Sequence, residues 1–397
     1  MNDLFWLTLI LLIIAAVLRS ELFFYLLYVL VGLQIAGRLW LRQSSKHLRW
    51  SRRAPSALFP GEQATVELEV ENTGLLAVPW LSLHESASPA LLSPPGVREV
   101  ISLGAGEKRQ FNYKLHPSRR GYYKLGPLSM RTGDVLGLGE RSLDGGGEVG
   151  VTVYPTILPL AELNLPASLP FGSLPSRTSL FVDPAQPTGV RNYRPGDSMR
   201  SIDWKNSARY GSAQQASGQS LLVRRYQPAI ALETVVALAF GLTEYHSRFA
   251  YDDMERALTA AASIVAHLIE QRQAVGFCTS GYDLLSEQSE IVLPVANGRA
   301  QLIEVLSILG RLEMSQEGDL ITLLQRVSAR LAWGSTLVFV GGERPDLLAS
   351  ILPLRQRGLN VALVLVDGSY ETIGIARRHG IAAFRVERDG RPQSQVA

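Results

Sequence analysis

A chain of 397 residues with a formal charge of +3, 46% hydrophobic and 19% charged, has room for two or three domains and excludes wholesale disorder. Six basic residues, Arg38, Arg42, Lys46, Arg49, Arg52 and Arg53, fall in an acid-free stretch from Leu22 to Gly61. The rest of the chain is therefore slightly acidic, which argues against a nucleic-acid-binding body, since such a body spreads positive charge over a folded face.

The chain opens on an apolar run from Leu4 to Leu18, and after Arg19, Ser20 and Glu21 a second run extends from Leu22 to about Leu41. Each arm approaches the roughly 20 residues that a helix needs to cross hydrocarbon. Two arms with a minimal turn keep every backbone amide bonded inside a bilayer, so residues 1–42 read as a two-pass transmembrane hairpin. The basic block behind it places the soluble part in the cytoplasm, with Tyr25, Tyr28 and Trp40 suited to the interfaces. A signal peptide is the competing reading of the first arm, but Met1 to Asp3 carry no Lys or Arg and no small-residue cleavage site follows. Residues 43–56 read as a basic juxtamembrane linker.

Period-two patterning then takes over. Val66, Leu68 and Val70 share one face against Thr65, Glu67, Glu69 and Glu71, and the alternation returns at Phe111, Tyr113 and Leu115, at Leu128 and Met130, and at Val149, Val151 and Val153. Short strands separated by Gly and Pro turns predict an antiparallel β-sandwich over 57–155. Residues 156–188 lack periodicity and are rich in Pro, Ser and Leu, a connector whose apolar side chains imply contact with its neighbours.

Residues 189–228 form a charged strap. Its first part, G-V-R-N-Y-R-P-G-D-S-M-R-S-I-D-W-K-N-S-A-R-Y, sets Arg191, Arg194, Arg200, Lys205 and Arg209 beside Asp197 and Asp203, with Tyr193, Gly196 and Trp204 among them. Pro195-Gly196 suits a type II turn. Ser201 is placed to cap a short helix, with Asp203 favourable at its positive end and Trp204 and Ala208 on one face. One reading makes the strap structural, its arginines consumed by Asp197 and Asp203. The other makes it a protein- or anion-binding surface formed by Arg191, Tyr193, Arg194, Gly196, Asp197, Arg200, Asp203, Trp204, Lys205 and Arg209.

This ordered signature resembles that of the domain-of-unknown-function family 58, bacterial membrane proteins associated with MoxR-type AAA+ ATPases. The segment R-R-G-Y-Y-K-L-G-P-L-S-M-R-T-G-D-V-L-G-L-G-E, Arg119 to Glu140, is also similar to the sandwich of that family. The resemblance implies a bacterial inner-membrane location and an ATPase partner.

From residue 229 to 397 short apolar runs alternate with amphipathic helices. The strand candidates are Val235–Phe240, Ala274–Cys278, Ser335–Val340, Asn360–Val366 and Ile381–Arg385, and one helix carries Met254, Ala257, Leu258, Ala261, Ile264, Val265 and Leu268 on a single face. This predicts a doubly wound α/β fold, which the family resemblance makes a von Willebrand factor type A-like domain. Cation-binding domains of that type use Asp-x-Ser-x-Ser after the first strand, where hard oxygens suit Mg²⁺. Here Ala239, Gly241 and Thr243 stand at those positions, so no metal is expected.

Catalytic signatures are missing from the sequence. His47, His84, His116, His246, His267 and His379 make no ligand spacing, and there is no G-x-S-x-G, phosphate loop or dinucleotide fingerprint. Cys278, the single cysteine, excludes an internal disulfide and reads as a buried inert thiol in an apolar strand. Asp367-Gly-Ser369 reads as a turn or helix cap. The expectation is a non-enzymatic, membrane-anchored cytoplasmic adaptor for a MoxR-type AAA+ ATPase, with no cofactor, no nucleic acid and an unidentified client. The alternatives are an unrecognised membrane-associated hydrolase and an envelope scaffold that needs no ATPase.

Overall fold

The computed structural model describes residues 2–18, 21–91, 96–135, 137, 139–166, 182–193, 199–213, 221–228, 233–245, 248–315 and 318–387. Two helices come first, α1 (Asn2–Leu18) and α2 (Glu21–Lys46), and they pack against each other. Among the described residues, α2 is the one helix long and apolar enough to cross a membrane. Its apolar side chains from Leu22 to Ile35 are largely exposed, whereas Leu41, Ser44 and Ser45 are buried. The far end of α2 is thus held by protein.

The holder is the β-sandwich, and it begins earlier than the linker expected over 43–56. Only His47 separates α2 from β1 (Leu48–Arg53). The strands β2 (Ala57–Leu58), β3 (Ala64–Asn72), β4 (Val78–Ala87), β5 (Arg98–Leu103), β6 (Lys108–Leu115), β7 (Gly121–Gly133), β8 (Glu140–Asp144) and β9 (Val149–Val153) follow. They form a three-stranded sheet, β1-β3-β6, and a six-stranded one, β2-β9-β7-β4-β5 with β8 on β7. Leu68 and Val70 from the first sheet pack with Leu81, Leu83, Leu103, Leu128 and Met130 from the second. That interleaved apolar layer is the reason the alternating residues fold as a sandwich. Val149 is the exception, exposed at the start of β9.

Arg52 explains why the supposed linker is a strand. Its side chain is buried against Glu85, Nε to Oε1 2.6 Å. Its Nη1 also donates to the carbonyls of Leu125 and Gly147, each at 3.2 Å, while Tyr113 Oη donates to Glu85 Oε2 at 2.5 Å. Burial and that bond push the Tyr113 hydroxyl far above its ordinary value. One of the six residues of the basic block is therefore a core residue of the sandwich, not a charge at a membrane surface. A buried pair needs such extra partners to offset desolvation.

The chain then crosses to the α/β domain. A short helical turn at Leu160–Leu163 inserts Leu160 and Leu163, followed by Leu165, into the α/β core, and the Leu158 amide donates to Ser263 Oγ at 2.9 Å. The expected connector thus begins with an anchor, and its last residues lie in β10 (Val182–Asn192). Next come α3 (Trp204–Ala213) and β11 (Leu222–Pro228), which pairs antiparallel with β10.

The α/β domain runs β12 (Thr234–Leu238), α4 (Ala250–Glu270), β13 (Val275–Asp283), β14 (Gln288–Ala296), α5 (Arg299–Arg311), β15 (Leu312–Glu313), α6 (Leu320–Ser328), β16 (Thr336–Gly341), α7 (Leu347–Gln356), β17 (Asn360–Val366), α8 (Tyr370–Arg378) and β18 (Ala382–Val386). Its sheet has the order β14-β13-β12-β16-β17-β18, parallel except for the edge strand β14 and the short β15. All seven apolar residues expected on one face of α4 are buried. Chain order reverses at β12, because β13 lies on one side of it and β16 on the other. In open α/β sheets the crevice at the carboxyl ends of such strands is where ligands bind.

Arg120 joins the two domains. From the residue just before β7 it forms a two-pronged ion pair with Glu255 of α4, Nε to Oε2 2.7 Å, and its Nη1 donates to the carbonyls of Leu309 (3.0 Å) and Leu312 (2.9 Å). Its guanidinium also lies over the Phe240 ring. Hydrogen bonds to charged groups are worth about 1.5–3 kcal/mol, so we expect Arg120→Ala to cost about 2–3 kcal/mol at the junction. Chemical denaturation of the detergent-solubilised chain should then show the sandwich and α/β domain unfolding in separate steps. Arg120→Lys should rescue little, because an ammonium cannot reproduce the fork.

Candidate functional site

Among the described residues, polar groups converge in the strap and at the carboxyl ends of β12 and β16. In the strap, Asp203 is buried and sits immediately before α3. Its Oδ1 accepts the Asn206 amide (3.1 Å), and its Oδ2 accepts Asn206 Nδ2 (3.0 Å) and Arg224 Nε (3.1 Å). The helix is therefore capped by Asp203, not by Ser201, which lies in the preceding turn Met199–Ser201. The Asn206 amide, then Arg224, hold the Asp203 carboxyl below its ordinary value. The backbone is tied in as well, since the Asp203 amide donates to Leu222 O at 2.8 Å and Leu222 N to Ser207 Oγ at 2.9 Å.

The other expected strap residues divide. Trp204, 62% exposed, shares an open face with Lys205 and Ala208. Arg191 is exposed on β10 and donates to its neighbour's carbonyl, Asn192 O, at 3.2 Å, while Tyr193 donates its amide to Leu221 O at 2.8 Å. The backbone of Arg200 lies in the short turn and that of Arg209 in α3. Arg194, Gly196 and Asp197 lie outside the described residues. Arg224, the cation that meets Asp203, escapes the sequence reading because it stands in a later strand and only the β10–β11 pairing folds it back.

At the sheet edge, Ala239 and Gly241 are buried and Thr243 is exposed. One residue further on, Glu244 turns back into the crevice with only 1% of its surface exposed. Its Oε2 accepts the Gly241 amide (2.7 Å) and Ser280 Oγ (2.6 Å), and its Oε1 accepts the Leu320 amide at the start of α6 (2.7 Å). Ser280 Oγ in turn accepts the Phe240 amide at 2.9 Å. Burial raises the Glu244 carboxyl above its ordinary value, despite the opposing bonds from Ser280, Leu320 and Gly241 and the charge of Arg344. The available sequence signal was an acid three residues after a glycine at a strand end.

A charged rim surrounds this point. Asp319 caps α6, accepting Ile321 N (3.3 Å) and Thr322 Oγ1 (2.7 Å), and pairs with Arg344 (3.0 Å), which also grips Asp346 (2.9 Å). Glu343 accepts Ser369 N (2.6 Å) and Ser369 Oγ (2.8 Å) as well as Thr372 Oγ1. Burial works to raise Asp319 and Glu343, but these bonds outweigh it and hold both below their ordinary values. Ser369 caps α8 and Asp367 pairs with Arg385 at 2.8 Å, so Asp367-Gly-Ser369 is a turn leading into a cap. Cys278 is buried mid-strand, its thiol pushed up to about 12 by burial. His246 lies outside the described residues, and His267, on α4, contacts Gln271.

Strap, crevice and the part of the rim up to Asp367 fall in one stretch of chain. Residues 189–368 match the family model "Protein of unknown function DUF58". The uncharacterized protein YeaD of Bacillus subtilis (strain 168) is 24% identical over 206 residues, 47% of this chain and 46% of its own length, so the match spans under half of that relative. Among solved structures, the CARDB domain of the PF1109 protein from Pyrococcus furiosus, in complex with di-metal ions, is 18% identical over 27% of this chain and 86% of its own, at a TM-score of 0.21. The complex of Zinc 2-glycoprotein and prolactin inducible protein from human seminal plasma gives 11% identity over 27% of this chain and 92% of the matched chain, at 0.22. Scores of that size carry no statement about what this chain does.

Asp203→Ala and Asp203→Asn should separate the two jobs of this carboxylate. Asn retains the cap but loses the charge on Arg224, so hydrogen exchange across α3 and β11 should accelerate more in Asp203→Ala than in Asp203→Asn. Because the Asp203 value is depressed, its contribution is present above the ordinary aspartate range and lost as pH falls through the depressed value. For Glu244 the sign reverses: its contribution is complete below the unfolded glutamate range and lost as pH rises through the raised value. Glu244→Gln should remove that pH-dependent component. It should also cost about 2 kcal/mol, because the new amide points a donor at a donor. Denaturation at a series of pH values checks both outcomes.

Proposed function

We propose that this chain is a non-enzymatic, membrane-anchored interaction protein, held by a two-pass hairpin with its soluble domains in the cytoplasm, and a partner of a MoxR-type AAA+ ATPase. The observation that carries the reading is the occupied crevice. Where an open α/β sheet would take a small ligand, Glu244 already fills the switch point and its oxygens are committed to Gly241, Ser280 and Leu320. What remains presented is surface: the charged rim and the outer face of the strap. The strand order, with an antiparallel edge strand, fits a von Willebrand A-like module whose cation positions have become Ala239, Gly241 and Thr243. Such a module can bind protein through its strand-end loops without a cation. The strap adds Trp204 and Lys205, an aromatic and a cation side by side on an open face, while Asp203 beneath them keeps the helix in place.

Crosslinking of the tagged chain in its native membrane, followed by identification of the captured proteins, tests this. A AAA+ ATPase should be recovered with the wild type and lost from Trp204→Ala/Lys205→Glu, whose exposed positions leave the fold intact. A folded, abundant wild type that brings down no ATPase overturns the partnership.

A further inference from the structure

The end of the sandwich nearest α2 carries an apolar surface that the adaptor reading does not use. Register shows which loops lie there. Leu48, directly after α2, pairs with Asn72 at the end of β3; Val78 at the start of β4 pairs with Leu103, and Trp80 with Gly133 at the end of β7. The turn 73–77 and the residues Asp134, Val135, Gly137 and Gly139 therefore share this end with the helix. Direct contacts agree: Trp40 Nε1 donates to Ala77 O at 3.0 Å, and Thr73 N and Oγ1 donate to His47 O at 2.9 and 2.8 Å. Asp134 lies against Gly37, Gly139 against Leu41, and Arg141 Nη1 donates to Ser45 Oγ at 3.1 Å.

Each of these loops presents an aliphatic side chain to the outside. Leu75 is 95% exposed and Val135 75%. A lone exposed aliphatic residue is ordinary. Two at the tips of neighbouring loops, both beside the exit of an apolar helix, form a surface with a direction.

Helix length says what covers it. From Glu21 to the level of Gly37, where the sandwich takes hold, α2 offers about sixteen free residues, roughly 24 Å of rise. The hydrocarbon of a bilayer is about 30 Å thick. A shortfall of about 6 Å draws the held end of the helix, and the loops beside it, into the interface. Trp40 fits that level, its ring partly exposed and its N–H bonded to protein, as an interfacial aromatic requires. Arg38 and Arg42 are exposed on the same part of α2 and can extend toward lipid phosphates.

We infer that Leu75 and Val135 are membrane-docking tips that seat the β-sandwich in the lipid interface, so that helix and sandwich enter the bilayer surface as one body. The inference rests on the reading that α2 spans the membrane. A polarity-sensitive fluorophore is placed on single cysteines at Leu75, Val135, Leu26 and Val100 in a Cys278→Ala background. The full chain is reconstituted in phosphatidylcholine–phosphatidylglycerol vesicles containing lipids with a nitroxide either just below the headgroup or near the bilayer centre. Positions 75 and 135 should be quenched by the shallow nitroxide roughly twofold more than Val100, an equally apolar but mid-strand site on the same sandwich. Position 26 should be quenched by the deep one. Quenching at 26 with none at 75 and 135 overturns the docking tips and leaves the spanning helix standing. No quenching at 26 overturns the spanning helix and the docking tips with it.

Discussion

The guanidinium of Arg120 is the contact on which the arrangement of the soluble domains depends. A planar cation leaving the sandwich must satisfy its donors in a partly dry junction. It does so with the Glu255 carboxylate on one side and the carbonyls of Leu309 and Leu312 on the other. Those carbonyls lie at the end of α5, where a helix presents its negative pole. The ring of Phe240 lies against the same guanidinium, and Phe240 is two residues past the end of β12. The junction therefore reaches the backbone that turns Glu244 into the crevice. One arginine ties the sandwich to the loop that closes the switch point.

A second tie runs in the opposite direction, toward the N-terminal helices. With only His47 between α2 and β1, there is no length of chain in which the helix and the sandwich could reorient independently. The buried Arg52–Glu85 pair, fastened by Tyr113, fixes β1 within the sandwich. The chain is thus connected from its apolar helices to its strand-end rim by side-chain contacts at every step, with the Leu160, Leu163 and Leu165 anchor supporting the crossing between domains.

Much of the architecture was legible because burial writes a period into sequence. Val66, Leu68 and Val70 announced their strand, and the seven residues from Met254 to Leu268 announced the inner face of α4. The strands of the parallel sheet stood out as short apolar runs. Less legible were elements whose reasons lie far away in the chain. β14 is an edge strand with a half-exposed pattern, and β1 looked like a basic linker because its strand character depends on Glu85 and Tyr113, more than thirty residues downstream. In the strap, the density of charge was visible, but its geometry was not. Asp203 turned inward to Asn206 and Arg224 and took the capping role expected of Ser201.

Sequence by itself determined the apolar helices, the sandwich and the α/β alternation, because each of these is a local pattern. Tertiary structure decided which charges are buried, which are paired and which are exposed. Arg52, Arg120, Asp203 and Glu244 look alike in sequence, as charged residues in mixed surroundings. They differ because desolvation and the number of facing donors or acceptors are properties of the folded neighbourhood, assembled from segments tens to hundreds of residues apart.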